Sequence, residues 1–473
     1  MNWTTALPEL VLALSGMGIL IFGVLNKRDT FQMCSMLVVG AMLVGGMLVL
    51  NAPVGAGFNG QFTNDAFSLF AKLLILAAAA LSVVVSLDYA EHANIRRFEF
   101  PILMLYATIG MMLMVSSTNM MTMYVGVELM SLSIYVLAAF ARDELRSSEA
   151  GLKYFVLGAL ASGLLLYGVS LVYGFSGSMD FVQIAAALID PAKASTGLVV
   201  GIVFIVAGLA FKISAVPFHM WAPDVYEGAP TPVTAFMGTA PKVAAMALLL
   251  RVMASPFGHL LAQWQQLIVL VSVASMLLGA FAAIAQKNIK RLMAYSSIGH
   301  IGYALIGLAA GTPNGVRGVL FYLFTYVFMN IGTFACIIAM RRKGKSVEGI
   351  ADLAGLSRTD PVMAMWLAVF MFSMAGIPPF GGFLGKYFVF TAAVQQGMWS
   401  LAVIGVLTSV VGAFYYIRII KVMYFDAPAE PFDVRPGSLS FVATASGLFT
   451  TLFFFYPAPV VAAAEAAAKV LFK

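Results

Sequence analysis

Apolar stretches of about 20 residues, joined by short polar connections, follow one another along the whole chain. They fall near 6–25, 31–50, 66–87, 98–116, 119–141, 150–173, 197–217, 231–254, 264–285, 292–311, 318–340, 361–396, 400–423 and 438–460. Each is long enough to cross a hydrocarbon layer of ~30 Å as a helix. The pattern predicts an all-α polytopic membrane protein with about 14 transmembrane helices. The run Leu7–Leu25 has no basic residue before it and no small-residue cleavage site. It is therefore expected to remain as the first span and not to act as a removed signal. Of the 27 Lys and Arg residues, sixteen lie in connections after odd-numbered spans and only four on the other side. The positive-inside rule then places both termini outside and the Arg341–Asp360 connection in the cytoplasm of a bacterial plasma membrane.

Two spans are interrupted in matching ways. The seventh contains Lys212-Ile-Ser-Ala-Val-Pro-Phe-His219 and the twelfth Ala375-Gly-Ile-Pro-Pro-Phe380. Proline removes a helix hydrogen bond and clashes with the preceding turn. Such a break is tolerated inside a membrane only where protein or a water-filled cavity satisfies the freed groups. Paired breaks in two halves of a chain point to a transporter built from inverted repeats. Here they stand five spans apart, and an odd number of helices per copy inverts the second copy. The expected organisation is an N-terminal three-helix segment (1–97), two five-helix repeats (98–256 and 257–425) and a C-terminal helix (426–473).

Composition narrows the function. Of 473 residues, 61% are hydrophobic and 10% charged, against about 25% charged in soluble proteins. The net charge of +6 is spread over short connections, so it is not a nucleic-acid footprint. Cys34 and Cys336 lie in separate apolar runs without a CxxC or His partner. That argues against a disulfide framework, a zinc site or an iron–sulfur cluster. No glycine-rich loop joins a strand to a helix, so no nucleotide or flavin site is expected. If the chain takes part in redox chemistry, the electrons travel elsewhere.

Charge inside the spans is then the informative feature, because an ionised side chain at mid-membrane costs roughly 2.5–3.5 kcal/mol and usually serves ion or proton movement. Glu128 is the acid in the middle of a span, and Lys212 lies beside the first break. Burial and an opposite charge act on such a pair in opposite directions, so the two make a switchable pair. Lys242 follows Pro241 about half-way along the eighth span, and Lys386 lies in the second half of the twelfth. His300 is deep in the tenth span and is of the type that relays protons near neutrality. Lys153, near the edge of the sixth span, and Lys72, in the third, are also explained by snorkelling to the interface. Arg251 and Arg418 are expected at the interface. The run containing His219, Asp224 and Glu227 fits no strong metal pattern; a loop or access role is expected.

The run Phe211-Lys-Ile-Ser-Ala-Val-Pro-Phe-His-Met-Trp-Ala-Pro-Asp-Val-Tyr-Glu-Gly-Ala-Pro-Thr-Pro-Val233 resembles the signature of the antiporter-like membrane subunits of respiratory complex I. So do Gly126-Val-Glu-Leu-Met-Ser-Leu132, Lys290-Arg-Leu-Met-Ala-Tyr-Ser-Ser-Ile-Gly-His300 and Gly376-Ile-Pro-Pro-Phe-Gly-Gly-Phe-Leu-Gly-Lys386. The resemblance covers essentially the whole chain. It implies fourteen helices with two inverted five-helix repeats, and proton translocation coupled to quinone reduction elsewhere in an NADH-quinone oxidoreductase. It assigns Glu128 and Lys212 to a charge-modulated pair, with Lys153 modulating it. Lys242 and His300 would lie on a central polar axis, and Lys386 in the exit half. It implies no cofactor in this chain, with FMN, iron–sulfur clusters and quinone in partner subunits. The expected partners are neighbouring antiporter-like and small membrane subunits and the lipid bilayer, with no nucleic acid. Multisubunit sodium/proton antiporters share the same core and are the alternative.

Overall fold

Lipid offers no hydrogen-bond partners, so a spanning backbone must close its own bonds, and a helix does so within one segment. The computed structural model describes residues 3–26, 28–191 and 194–472. Lys27, Lys193 and Lys473, which enter the loop-charge count above, lie outside the described residues. The described chain is almost wholly helical. Its first six helices are α1 (Leu7–Leu25), α2 (Phe31–Asn51), α3 (Ala66–His92), α4 (Glu99–Ser116), α5 (Met120–Ala138) and α6 (Leu145–Ser176). A short α7 (Phe181–Ala187) leads to α8 (Thr196–Lys212), α9 (Trp221–Gly228), α10 (Thr231–Met237) and α11 (Ala240–Ala254). Then come α12 (Leu261–Ile284), α13 (Ile289–Ala309), α14 (Pro313–Ala339) and the single turn α15 (Leu356–Thr359). The last five are α16 (Pro361–Ala375), α17 (Gly381–Gln395), α18 (Trp399–Phe425), α19 (Gly437–Leu452) and α20 (Ala458–Val470). Two small hairpins, β1–β2 (Gly55–Gly57 with Phe62–Asn64) and β3–β4 (Arg341–Arg342 with Lys345–Ser346), close connections between helices.

Eleven helices among the described residues are long and apolar enough to cross a membrane. The shorter apolar helices α8, α16 and α19 stand where the seventh, twelfth and fourteenth spans were expected. The seventh and twelfth are broken as predicted, into α8/α9 and α16/α17. Each break contains a cis X-Pro bond, at Val216-Pro217 and Pro378-Pro379. Two features differ from expectation. The eighth span is itself divided at Gly238, whose carbonyl accepts a hydrogen bond from Asn330 at 3.2 Å. The last expected span stops at Leu452, eight residues early. Pro457 and the amphipathic run behind it start α20 instead, which packs on α3 and α14 and carries a Glu465–Lys469 ion pair at 2.7 Å.

The helices sort into an interior and a rim. The most apolar stretches of α10–α11, α13 and α14 are 100%, 94% and 89% buried, whereas α1 and α2 are 33% and α6 and α18 39% buried. The interior set carries Lys242 and His300. Close approach of α12 to α13 depends on Gly279: a Cβ there would lie 2.5 Å from the Gly299 nitrogen. Small residues at such crossings let membrane helices meet backbone to backbone.

Two cations differ from the interfacial reading. Lys72 does not snorkel: it is fully buried and pairs with Glu9 of α1 at 2.7 Å, its ammonium over the Phe62 ring. Arg251 is likewise buried and grips Asp65 with both Nη atoms, at 2.9 and 2.8 Å. Asp65 in turn caps α3 through a reciprocal hydrogen-bond box with Ser68. Arg418, by contrast, is half-buried at a span end as expected, where it caps α12 by donating to the carbonyls of Ile284 and Gln286. At the same end of the spans as Arg418, Asp433 ties the linker before α19 to the β3–β4 turn. The backbone N–H groups of Gly344 and Lys343 hold its carboxyl below the ordinary range.

Removing one partner of a buried ion pair typically costs 3–5 kcal/mol, whereas replacing both with apolar groups is often neutral. Lys72→Met alone should therefore lower the thermal stability of the solubilised protein by roughly that amount. Combining Glu9→Leu with Lys72→Met should restore most of it. A double variant no better than the single would contradict the pairing.

Candidate functional site

The predicted residues group into three hydrogen-bonded clusters, and the two broken helices build the outer two. At the first break α8 ends on Lys212, whose ammonium is buried and donates to Ser131 Oγ at 2.7 Å and Tyr135 OH at 3.2 Å, both on α5. The break itself is satisfied by protein. The Val216 N–H donates to Ser275 of α12, and the Trp221 indole donates to the Phe211 carbonyl. Glu128 sits one turn before Ser131 on α5 and accepts a 2.5 Å hydrogen bond from Ser162 of α6. No ion pair joins Glu128 to Lys212 among the described residues; each bonds to hydroxyls instead, Glu128 to Ser162 and Lys212 to Ser131 and Tyr135. Tyr154, Phe211 and Trp221 stack beyond it, with Tyr154–Trp221 centroids 4.3 Å apart. This aromatic wall separates the first cluster from the second.

The second cluster surrounds Lys242, which begins α11 just after the Gly238 kink. Its ammonium donates to Ser297 of α13 and lies 5.4 Å from the Tyr226 ring centroid. Tyr326 of α14 donates to the same Ser297 at 2.9 Å, and Asn330 donates to Tyr326. His300 follows Ser297 by one turn. Its Nδ1 meets Tyr322 OH at 2.5 Å and its Nε2 meets Tyr416 OH at 3.0 Å. Tyr416 also bonds Ser296 at 2.5 Å. Hydroxyls that both donate and accept can pass a proton on without keeping a charge.

The third cluster is the second break. The last carbonyls of α16, at Met374 and Ala375, both accept from the Lys386 ammonium, at 3.0 and 2.9 Å. Ser409 of α18 is the third partner at 2.8 Å. A helix C-terminus carries partial negative charge, so this end of α16 suits a cation while burial opposes it. Gly376 makes the geometry possible. It has φ +86°, and a Cβ there would lie 2.9 Å from Lys386 Cδ. A small cavity, with space for about one water, lies between Lys386 and His300, lined also by Ser296, Tyr303, Ser409 and Tyr416.

Lys153 stands apart from this line. Its side chain is 42% exposed and pairs with Glu149 at 2.7 Å and Asp224 at 2.9 Å. Asp224 and Glu227 of α9 also hold Arg291 of α13. His219 is on the partly exposed segment between α8 and α9. Sequence reasoning missed the hydroxyl side chains, because Ser and Tyr are common in apolar spans and nothing local marks those that face a lysine. It also missed Lys290, buried in the first turn of α13, which the charge count assigned to a loop.

The family described as NADH:quinone oxidoreductase/Mrp antiporter, TM, matches residues 117–412, and the chain belongs to that family of antiporter-like membrane proteins. A relative from Granulibacter bethesdensis, NADH-quinone oxidoreductase subunit N, is 64% identical over 478 residues, covering all of both chains. A chain in the structure of respiratory complex I from Thermus thermophilus with bound aureothin superposes with a TM-score of 0.84 at 33% identity. That match covers 97% of this chain and all of the other. A chain of the Mrp complex from Dietzia sp. shares the fold, with a TM-score of 0.87 at 22% identity over 100% and 98% of the two chains.

Forcing a side chain onto a left-handed backbone costs roughly 1–2 kcal/mol, and at position 376 it would also displace Lys386. Gly376→Ala should therefore lower thermal stability by at least that amount and impair function, whereas Gly437→Ala, where a Cβ meets nothing within 4 Å, should do neither. Equal behaviour of the two variants would contradict the role given to Gly376.

Proposed function

We propose that this chain is the N-type proton-translocating subunit in the membrane arm of a bacterial NADH-quinone oxidoreductase. The observation that carries the reading is the line of buried Lys212, Lys242, His300 and Lys386, each bonded to at least one hydroxyl that can exchange protons. Full-length likeness to subunit N relatives supports the assignment to that complex. NADH oxidation, FMN, the iron–sulfur clusters and quinone belong to partner subunits in this reading. The neighbours are other antiporter-like subunits and small membrane subunits. The matched breaks, each with a lysine, support the reading of 98–256 and 257–425 as inverted repeats. The fourteen-span count, with both termini on the periplasmic side, completes it.

Energy released by quinone reduction arrives as a conformational or electrostatic change at Glu128. A shift of Glu128 towards or away from Lys212 alters how firmly Lys212 keeps its proton. The change in charge at Lys212 is felt at Lys242 across the aromatic wall. The proton held by Lys242 then moves through Ser297, His300 and the hydroxyls of Tyr322 and Tyr416 towards Lys386. Moving one charge against the membrane potential costs about 2.3 kcal/mol per 100 mV, so each transfer needs such a drive. Lys153, bound to Glu149 and Asp224, modulates the pair from the rim. A multisubunit sodium/proton antiporter role would show itself as sodium-dependent transport.

Lys212→Met removes the titrating group while keeping an apolar side chain of similar length. In the assembled complex it should lower protons pumped per electron with little change in the amount of complex. Normal pumping by that variant would defeat the charge-modulated pair. Lys386→Met should likewise uncouple, and should also loosen the α16 end by removing the donor to Met374 and Ala375.

A further inference from the structure

The division between α10 and α11 frees one particular carbonyl. In an unbroken helix the Lys242 N–H would donate to Gly238, four residues back. Thr239 leaves the helical region, at φ −123° and ψ −90°, and the Lys242 N–H donates to the Thr239 carbonyl at 3.1 Å instead. Inside a membrane protein the Gly238 carbonyl must then find another donor. Asn330 of α14 supplies it: its Nδ2 donates to that carbonyl at 3.2 Å. The same Nδ2 also donates to the Tyr326 hydroxyl, one turn back on α14, at 2.5 Å. Asn330 is fully buried, and its Oδ1 has no hydrogen-bond partner among the described residues. The pathway drawn above makes no use of this side chain.

These bonds close a ring on Lys242. It runs from the chain just before Lys242 through the Gly238 carbonyl, Asn330, Tyr326 and Ser297 to the Lys242 ammonium. Chemistry fixes the directions round it. A carbonyl only accepts, so Asn330 must turn its amide nitrogen towards Gly238. That nitrogen only donates, so Tyr326 accepts from Asn330 and gives its own hydrogen to Ser297, at 2.9 Å. The Ser297 oxygen accepts from Tyr326 and from the Lys242 ammonium together. When the lysine is neutral, one lone pair of Ser297 is released and its O–H can turn to the amine nitrogen. Either form of Lys242 thus finds its partner in Ser297 with no other bond of the ring changed.

We propose that Asn330 is a positioning residue for proton exchange at Lys242, acting through the Gly238 carbonyl on one side and through Tyr326 and Ser297 on the other. The inference rests on the proton-translocating reading above and adds a residue that carries no proton itself. The first bond sets where α11 starts and so where Lys242 stands. The second keeps the Tyr326 hydrogen on Ser297. It also makes Tyr326 a blind end, because the amide beyond it does not release a proton near neutrality. A proton leaving Lys242 through Ser297 is therefore not drained towards α14.

The test is Asn330→Leu in the intact complex, measured beside Lys212→Met for protons per electron, assembly and thermal stability. Leucine fills the space and removes both donors. A residue that only caps the break predicts lower thermal stability but normal pumping by the complex that assembles. A misplacement of about 1 Å can cost roughly 10²-fold in rate. The positioning role therefore predicts an assembled Asn330→Leu complex that loses as much pumping as Lys212→Met. Asn330→Gln, which restores the donors, should recover part of it. Equal loss in the Leu and Gln variants would mean that space and not donation matters at 330, and would overturn the proposal. Normal pumping by Asn330→Leu beside a defective Lys212→Met would overturn the positioning role and leave the function standing. Normal pumping by both would overturn both. Tyr326→Phe provides a second arm, decisive should Asn330→Leu fail to assemble. It leaves the Asn330 bond to Gly238 in place and removes only the link to Ser297, so assembly with lowered pumping is expected, and normal pumping refutes the proposal.

Discussion

The constraint on which the rest depends is that nothing polar inside the hydrocarbon layer can turn to water. Every interrupted helix and every buried charge must find its partner within the protein. At the second break the two demands cancel: the carbonyls freed at Met374 and Ala375 are those that bind the Lys386 ammonium. At the first break, Ser275 and Trp221 take up the freed backbone groups. That leaves Lys212 to bond only with hydroxyls of α5. The two breaks are thus satisfied differently, and the difference fixes their chemistry. Lys386 is clamped by a helix end, while Lys212 rests on groups that can rearrange.

The interior helices place Lys242 and His300 between these ends. Their surroundings are hydroxyls of Ser297, Tyr326, Tyr322 and Tyr416, able to donate and accept alike. Among the described residues no carboxylate reaches the Lys242 or Lys386 ammonium within ion-pair distance. Elsewhere carboxylates do meet buried cations: Glu9 on Lys72 and Asp65 on Arg251 clamp α1 and α11 to α3, and Glu348 meets Lys290 at the start of α13. A permanent counter-charge suits a structural clamp. A lysine that must gain and lose a proton is better served by neutral partners.

Much of this was legible in the sequence, for physical reasons that differ from residue to residue. The breaks were visible because proline and glycine act locally. Lys242 and Lys386 stood out because an ionised side chain in mid-span is costly and rare. Lys72 and Arg251 were misread, since position in a span gives depth but not the partner that Glu9 and Asp65 supply from other helices. Lys153 could not be placed from its span, and its exposed pairing with Glu149 and Asp224 is a matter of which face α6 turns outward. The hydroxyl relays, Lys290 and the buried Asn330 depend on tertiary contact alone. The early stop at Leu452 was hidden because the residues after it are still apolar.

The most direct test of the central claim is the number of protons pumped per electron in membranes whose complex carries Lys242→Ala, with quinone reduction and assembly measured alongside. The account predicts an assembled complex that has lost this subunit's share of pumping. Unchanged pumping would mean that the charge at the centre of the line is structural, and the relay through Lys242 would have to be abandoned.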